Sequence, residues 1–303
     1  MTTVELRLER VAHGGYVVGH ADGKVLFVTG GLPGELVLAE VTETGSRFDR
    51  AKVVRVLEPS AGRVAPPCPV ADRCGGCDWQ HADQATQLAL KGAVVAEQLA
   101  RLAGIAWGGE VEAAPGGLTG WRTRVRYAVD GAGRVGFRGR RSHEVVPLPP
   151  EGCLIAAPHD VPKAAACATP GGEVIVAIGD DGASVVGGRG RSGPDPVSQT
   201  VLGRRFEVGA QGFWQVHTLA AETLAHAVLD GLRPRAGERA LDLYCGVGLF
   251  AGALVDAGCV VFGAEFGREA VRQARLNVPE ARFVAADLSK NLSALPPAAD
   301  IVV

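Results

Sequence analysis

Roughly the last hundred residues alternate between β-strand and α-helix patterns, and this alternation restricts the fold more than any other feature of the sequence. Short apolar runs, typical of strands buried on both faces, are separated by stretches with apolar residues at helical spacing. From about Phe206 onward, the predicted strands and helices alternate: 239–244, 249–257, 260–265, 268–276 and 282–285, with a further apolar strand at 299–303. Because parallel strands need crossover connections, this order predicts a doubly wound α/β sheet that binds its ligand at the carboxyl ends of the strands.

A glycine turn follows the first of these strands. The turn, residues 245–248, reads Cys-Gly-Val-Gly; Asp242 precedes it, Glu265 ends the second strand and Asp287 follows the third. A G-x-G turn with an acidic residue about twenty positions later suits a nicotinamide dinucleotide or S-adenosylmethionine, because both carry a ribose whose hydroxyls donate to a carboxylate. The two aspartates, and Ala251 in place of the third fingerprint glycine, favour S-adenosylmethionine. Dinucleotide folds also accept alanine there, so an NAD-dependent oxidoreductase stays as an alternative.

Three cysteines lie close together in a C-x5-C-x2-C pattern. Cys68, Cys74 and Cys77 surround a Gly-Gly pair, and thiolates this close in sequence can bind one soft metal centre. Cys153, after a loop rich in proline and glycine, is the candidate fourth ligand. Spacing alone allows zinc as well as an iron–sulfur cluster. A disulfide-rich secreted domain is disfavoured, because the charged residues 1–10 do not resemble a signal peptide. We therefore expect reduced thiols and a cytoplasmic protein.

Two regions have patterns typical of nucleic-acid binding. Residues 4–57 read as short strands separated by glycine turns, which predicts a small barrel of the OB type, a fold that often binds oligonucleotides. In the middle of the chain, Arg122, Arg124 and Arg126 alternate with apolar residues and therefore share one face of a strand; Arg138 follows after a glycine turn. The formal net charge is -2, so affinity for RNA has to come from a local patch such as this.

Several of these segments together resemble one protein family. The cysteine pattern continues into Gln80 and His81, and the glycine turn belongs to the string Asp-Leu-Tyr-Cys-Gly-Val-Gly at 242–248. Gly-Phe-Trp-Gln-Val at 212–216 and Trp-Arg-Thr-Arg at 121–124 are further matches. Over nearly its whole length the chain resembles the RNA uracil-5-methyltransferases, which write 5-methyluridine into tRNA and rRNA with S-adenosylmethionine as the methyl donor.

The resemblance implies roles for individual residues. It implies a [4Fe-4S] cluster on four cysteines: Cys68, Cys74, Cys77 and Cys153. It implies an S-adenosylmethionine site formed by Gln215, Asp242, Tyr244, Gly246, Gly248, Glu265 and Asp287. The N-terminal barrel resembles a TRAM domain and is expected to contact RNA, as are four arginines: Arg122, Arg124, Arg126 and Arg138. Cys245 is expected to pack under the cofactor turn rather than to attack the base.

The resemblance also locates the family's catalytic groups outside the sequence at hand. In the family, an Asp-Pro-Pro-Arg loop, a nucleophilic cysteine and a general base follow the strand that ends here at Val303. Uracil C5 is a poor nucleophile, so the enzyme's thiolate first adds to C6 and a base later removes the C5 proton. We therefore expect no catalytic residue up to Val303, a longer natural enzyme, and no methyl transfer by this stretch alone. A non-catalytic RNA-binding iron–sulfur protein is the alternative.

The patterns predict three domains and a monomer that acts on RNA. The domains are 1–60, an OB-like TRAM barrel; 61–205, a central α+β domain with the cysteine loop and the basic hairpin; and 206–303, the first part of a Rossmann-like methyltransferase domain. In the central domain a helix is predicted over 83–102, ending at Gly104. Residues 154–200 are expected to form an irregular connector with one strand at 173–178. No apolar run is long enough to cross a membrane.

Overall fold

The chain divides into two compact units. In the computed structural model, which describes residues 2–290 and 293–303, the first unit comprises residues 1–113 and 138–149, and the second comprises residues 114–137 and 150–303. The domain boundaries predicted near residues 60 and 205 stay predictions. Within the described ranges, no helix is both long and apolar enough to span a membrane.

The first unit begins with a closed β-barrel, which confirms the predicted small barrel. Its strands follow the order β1-β2-β3-β5-β4 and have these bounds: β1 (Thr3–Ala12), β2 (Tyr16–Ala21), β3 (Lys24–Thr29), β4 (Leu36–Thr44) and β5 (Phe48–Glu58). Inward-facing aliphatic residues such as Leu8, Val17 and Val28 form its core. Strand β2 escaped prediction because Gly19 interrupts its apolar pattern. A Cβ atom on Gly19 would lie 2.9 Å from the carbonyl oxygen of Arg7, so the close approach of β1 requires glycine.

A buried carboxylate holds the segment that leaves the barrel. Glu35 has no exposed surface and accepts a hydrogen bond from Arg63 Nε at 2.5 Å. The amides of Ser60 and Leu32 also donate to Glu35, at 3.1 and 2.8 Å. Burial by itself raises the pKa of Glu35, but the hydrogen bonds from Arg63 and the two amides outweigh burial and keep the pKa below its ordinary value. Glu35 therefore stays ionised and ties the barrel to the chain that leads toward the cysteines.

Helix α1 (Gln84–Ala103) follows the cysteine loop and agrees with the predicted helix. The side chain of Asp83 caps its first turn by accepting a hydrogen bond from the Thr86 amide at 2.8 Å. Gly104 ends the helix in a left-handed conformation, φ 67°, which a residue with a side chain rarely adopts. On its inner face Leu90 packs against the barrel residue Leu32. Strand β8 (Val145–Pro147) also belongs to this unit.

The second unit opens with an antiparallel sheet that the sequence only partly predicts. Its strands pair in the order β11-β10-β9-β6-β7, with these bounds: β6 (Arg124–Val129), β7 (Val135–Arg138), β9 (Glu173–Gly179), β10 (Gly182–Gly187) and β11 (Gly190–Ser192). A short helix, α2 (Val161–Ala166), precedes β9. The strand predicted at 173–178 is present as β9, but the expectation that the rest of 154–200 is an irregular connector is wrong. The other strands are short and separated by glycine-rich turns, so none of them carries enough periodic residues to stand out.

A parallel sheet completes the second unit. The hairpin of β12 (Val197–Val201) and β13 (Arg204–Val208) leads into it. The elements that follow have these bounds: α3 (Ala220–Leu232), β14 (Arg239–Leu243), α4 (Leu249–Asp256), β15 (Val260–Glu265), α5 (Arg268–Asn277), β16 (Arg282–Ala285) and β17 (Ile301–Val302). Within the four-stranded sheet all strand pairs are parallel, and the strand order is β16-β15-β14-β17. The predicted strand–helix alternation is thus present in the structure.

The strand order places a switch point at β14. From β14 the chain adds β15 and then β16 on one side, whereas β17 pairs with the opposite side of β14. In such sheets the crevice for a ligand opens at the carboxyl end of the strand where the order reverses. The glycine turn that follows β14 therefore occupies the position where a ligand is expected.

Candidate functional site

The glycine turn connects β14 to helix α4 through residues in left-handed conformations. Tyr244 has φ 61°, Gly246 has φ 55° and Gly248 has φ 94°. A Cβ atom on Gly248 would lie 3.2 Å from Val278 and 3.5 Å from the ring of Phe283, so glycine is needed for packing as well as for conformation. Tyr244 adopts the same region at an energetic cost, which is common at binding sites. Of the turn residues 245–248, only Gly246 is half-buried, and the others are buried.

Asp242 lies beneath this turn and is 1% exposed. Its Oδ2 atom accepts a hydrogen bond from the amide of Ala251 at 2.8 Å, in the first turn of helix α4. Burial raises the pKa of Asp242 to about 7, and the charge of Glu265 acts in the same direction, although the Ala251 amide opposes both. In the structure Asp242 thus supports the helix start that follows the turn.

Glu265 joins the end of β15 to the glycine turn. One carboxylate oxygen accepts a hydrogen bond from the Gly246 amide at 3.2 Å, and the other accepts from the Gly267 amide at 2.9 Å. Glu265 is half-buried, so part of its surface stays accessible. An ionised carboxylate has capacity for about four hydrogen bonds, which leaves positions for a diol.

Asn277, at the end of α5, links the turn to strand β13. Its side-chain amide donates to the carbonyl of Val247 at 3.0 Å and to that of Glu207 at 3.1 Å, and its oxygen accepts from the Glu207 amide at 2.9 Å. Asn277 is almost fully buried. It therefore connects the glycine turn with the strand that leads to the segment containing Gln215. No sequence pattern indicates this role, because the partners of Asn277 lie far from it along the chain.

Gln215 lies half-buried in the loop that follows β13. Its neighbour Trp214 is buried against the ring of Phe206, with 5.6 Å between ring centroids. The carbonyl of Val216 accepts hydrogen bonds from the amide and the hydroxyl of Thr123, at 2.7 and 3.0 Å. The segment containing Gln215 is therefore held by contacts with the strand extension before β6.

The predicted RNA-binding arginines do not share one environment. Arg126 is exposed and pairs with Glu173 at 2.9 Å, and Arg138, in the first unit, is exposed as well. Arg122 is half-buried and donates through Nε to the Arg124 carbonyl at 3.1 Å. Arg124, which the sequence pattern places on one strand face with Arg122 and Arg126, contacts protein groups in the structure. Its guanidinium donates to protein carbonyls, and burial lowers its pKa to about 10.

Asp287 follows β16 and bonds its own neighbours. Its carboxylate accepts from the amide and hydroxyl of Ser289, at 3.1 and 2.6 Å, and pairs with Lys290 at 2.9 Å. The hydrogen bonds from Ser289 and Lys290 lower the pKa of Asp287.

Cys245, the first residue of the glycine turn, is buried in the core, and burial raises the pKa of its thiol well above the ordinary value. This environment agrees with the packing role expected for Cys245, because a neutral buried thiol is a poor nucleophile.

Two exposed aromatic residues near the predicted site escaped the sequence interpretation. Phe266 directly follows Glu265 and is 73% exposed, and Phe213, in the loop of Gln215, is 76% exposed. Tyr244, which the resemblance did indicate, is 74% exposed. Their exposure leaves all three rings accessible to a binding partner. The sequence signal that could have identified them is their position: Phe266 follows the acidic residue that ends β15, and Phe213 lies in the motif that contains Gln215.

The cysteine loop lies in the first unit. The Gly75 amide donates to the Arg138 carbonyl at 3.0 Å, and a Cβ atom on Gly75 would lie 2.7 Å from that oxygen. The Gly76 amide donates to Cys74 Sγ at 3.4 Å. Cys68, Cys74 and Cys77 are half-buried, as is Cys153 in the second unit. Across residues 2–290 and 293–303, no three His, Cys, Asp or Glu side chains converge as a metal-binding group.

Comparison with known proteins identifies the family. A Streptomyces avermitilis protein named as an uncharacterized RNA methyltransferase is 43% identical, over 96% of this chain and 79% of the relative. A Shewanella halifaxensis enzyme named 23S rRNA (uracil(1939)-C(5))-methyltransferase RlmD is 28% identical, over 97% of this chain and 78% of its own. No family model matches the chain.

A solved structure shares the fold. It is that of the Pyrococcus abyssi tRNA (uracil-54, C5)-methyltransferase in complex with S-adenosyl-L-homocysteine, with a TM-score of 0.70, 19% identity, and coverage of 98% of this chain and 82% of its own. Because this identity is low, the likeness concerns the fold alone. The Streptomyces relative and a Shewanella sp. (strain MR-4) enzyme named 23S rRNA (uracil(1939)-C(5))-methyltransferase RlmD, 30% identical over 95% of this chain and 77% of its own, confirm the resemblance seen in the sequence motifs: the chain belongs to the RNA uracil-5-methyltransferase family.

Proposed function

We propose that this protein takes part in the transfer of a methyl group from S-adenosylmethionine to C5 of a uridine in RNA. The observation that carries the proposal is the glycine turn at the switch point of the sheet. Glu265 bonds this turn, and Asn277 links it to the strand that leads to Gln215. The family relationship supplies the reaction class, and the relatives named for uracil C5 methylation supply the target atom.

The residues around the turn suit the parts of the cofactor. S-adenosylmethionine supplies an electrophilic methyl group when it is bound. The Glu265 carboxylate accepts hydrogen bonds from the ribose hydroxyls, while Gly246 and Gly248 allow the ligand to approach the backbone. The exposed rings of Tyr244 and Phe266 offer apolar faces on which the adenine stacks and from which water is excluded.

The cofactor assignment is tested by titrating the full chain with S-adenosylmethionine. Replacing Glu265 with alanine should weaken binding by about 1.5–3 kcal/mol, the range for hydrogen bonds to a charged group. Glu222→Ala, on the exposed face of α3, is the control and should leave the affinity unchanged. Tighter binding of NAD than of S-adenosylmethionine would instead support the oxidoreductase alternative.

The reaction is tested in cells. RNA from a strain without the gene should lack 5-methyluridine at one position, as measured by mass spectrometry of RNA digests, and the gene should restore it. The Shewanella relative is named for 23S rRNA and the Pyrococcus enzyme for tRNA, so both RNA classes are assayed. Unchanged 5-methyluridine at every position in both classes would contradict the proposal.

We also propose that Cys68, Cys74, Cys77 and Cys153 hold a [4Fe-4S] cluster. The donor chemistry fits, because four thiolates are the usual ligands of such clusters. The Gly76 amide already donates to Cys74 Sγ, and hydrogen bonds of this kind tune cluster potentials. Cluster binding would contribute directly to stability, since a loop that closes on a metal is weakly ordered without it.

Anaerobically purified protein should therefore contain about four irons and four labile sulfides per chain. Cys74→Ser should lose the iron and melt at a lower temperature than wild-type protein that contains the cluster. Cys259→Ser, outside the proposed ligand set, should retain full iron content. Stoichiometric zinc without labile sulfide would show that the same thiolates bind a different metal.

A further inference from the structure

The guanidinium of Arg124 is built into a turn rather than directed at solvent. Its Nη1 atom donates to three carbonyl oxygens at 3.0–3.2 Å: those of Gly209, Ala210 and Gly212. Its Nη2 atom is shielded from solvent and meets no acceptor among the residues that the structure describes. A phosphate therefore has little access to this side chain, although its position in the alternating row of arginines suggests phosphate contact.

The turn that Arg124 holds has a second attachment. The Gly212 amide donates to the Gly209 carbonyl at 2.9 Å, which closes the turn. The amide of Ala210 donates to Asp195 Oδ1 at 2.9 Å, and Ala210 is buried beside Val197. Two charged side chains thus hold the turn: Arg124 donates to its carbonyls, and Asp195 accepts from the Ala210 amide. The turn has little freedom to move relative to β6.

The residue before Arg124 fixes the other end of the same loop. Thr123 donates through its amide and its hydroxyl to the Val216 carbonyl, and the Thr218 amide donates to the Trp121 carbonyl at 2.9 Å. Three residues, Phe213, Trp214 and Gln215, lie between Gly212, which Arg124 holds, and Val216, which Thr123 holds. Two adjacent residues, Thr123 just before β6 and Arg124 at its start, therefore hold the segment containing Gln215 from both sides.

We infer that Arg124 is a positioning residue for the cofactor site, which acts by fixing the loop that presents Gln215. This inference rests on the proposed function and on the S-adenosylmethionine contact that the family resemblance implies for Gln215. Without the guanidinium, the carbonyls of Ala210 and Gly212 lose this donor, that of Gly209 keeps the Gly212 amide, and the loop samples other conformations. Ordering the loop then has to accompany binding, and the affinity falls.

The test compares three substitutions at one position in the full chain. Arg124→Met keeps the length and packing of the side chain but removes its donors, and it should raise the dissociation constant for S-adenosylmethionine about tenfold. Arg124→Lys keeps a charged donor and should restore most of the affinity. If Arg124→Met does not fold, Arg124→Gln is used instead, because its side chain keeps one NH2 group as a donor. Arg134→Ala removes an exposed arginine of the same hairpin and should leave the affinity unchanged.

Two further readouts separate positioning from a general loss of stability. Hydrogen exchange of the Thr218 amide should accelerate in Arg124→Met while that of the β14–β15 amides stays slow. Gln215→Ala should weaken binding in the wild-type background and add little in the Arg124→Met background, because the loop is already misplaced.

The outcomes distinguish the two proposals. Wild-type protein that does not bind S-adenosylmethionine refutes the proposed function. Wild-type protein that binds it, with an Arg124→Met variant of equal affinity and equal Thr218 exchange, refutes the positioning role. Reduced RNA affinity and a flatter salt dependence in that variant, with unchanged cofactor affinity, would show that Arg124 contacts phosphate after all.

Discussion

At the scale of single residues, burial decides the chemistry of the acidic groups in the crevice. Asp242 and Glu265 both lie at the ends of parallel strands, yet only Asp242 is enclosed by the core. Its pKa is raised to about 7, far above the ordinary value of about 3.9 for an aspartate. Glu265 is half-buried and keeps surface for a ligand. The neighbouring acids thus differ in environment: one supports the turn, and the other is the group that we propose binds the ligand.

The raised pKa of Asp242 predicts a pH dependence of stability. Between about pH 4 and 7, the folded state holds a proton on Asp242 that the unfolded state has released. The free energy of unfolding should therefore fall as the pH rises through this window, by at most about 1.4 kcal/mol per pH unit. Asp242→Asn should remove this part of the decline, as measured by thermal unfolding of both proteins from about pH 3 to 8, a range that spans both pKa values. Parallel curves for the two proteins would rule out the assignment.

At the scale of elements, the candidate site depends on contacts between pieces that are distant in sequence. Helix α5 supplies Asn277, whose amide bonds the glycine turn and strand β13. Arg204 of β13 adds ion pairs to Asp256 of α4, at 2.5 Å, and to Glu280, at 3.1 Å. These contacts fix the hairpin of β12 and β13 against the helices on one face of the parallel sheet. The loop containing Gln215 therefore starts from a fixed strand.

Loss of the Asn277 amide should destabilise the second unit. Asn277→Ala leaves the Val247 carbonyl and the Glu207 backbone groups buried without their partner, at a cost of about 1–3 kcal/mol for each unsatisfied group. Urea unfolding monitored by circular dichroism should show a lower midpoint, and cofactor affinity should fall with it. Glu269→Ala, on the exposed side of the same helix, should leave the midpoint unchanged. Equal midpoints for wild type and Asn277→Ala would contradict the linking role.

At the scale of the whole molecule, RNA binding has to come from local charge. The net charge is -2, and many arginines on the surface are paired with acids, as Arg7 is with Glu58. Arg126 lies in an exposed pair with Glu173, which RNA phosphates can displace at low cost because exposed pairs are weak. The N-terminal barrel supplies a second surface of a type that often binds oligonucleotides.

Phosphate binding by the basic hairpin predicts a change in salt dependence. Replacing Arg122 and Arg126 with alanine should weaken RNA binding across unrelated sequences and lower the log–log salt slope by about one unit for each phosphate that is no longer neutralised. Filter binding of the full chain at several salt concentrations measures both quantities. Arg272→Ala, on α5, is the control for removal of an exposed arginine. A double variant with the wild-type slope and affinity would exclude the hairpin from the RNA interface.

Local patterns in the sequence determined much of this protein: the barrel, helix α1 between Asp83 and Gly104, and the order of strands and helices around the glycine turn. These features depend on neighbouring residues, so periodicity, caps and glycines are sufficient to predict them. Apart from β9, which was predicted at 173–178, the strands between 154 and 200 were missed because strand pairing is a contact at a distance. Tertiary structure alone decided that Arg124 bonds a turn 85 residues later and that Asn277 joins β13 to the glycine turn. An arginine binds a phosphate or a protein carbonyl depending on which groups the fold brings beside it, and the sequence does not show those groups.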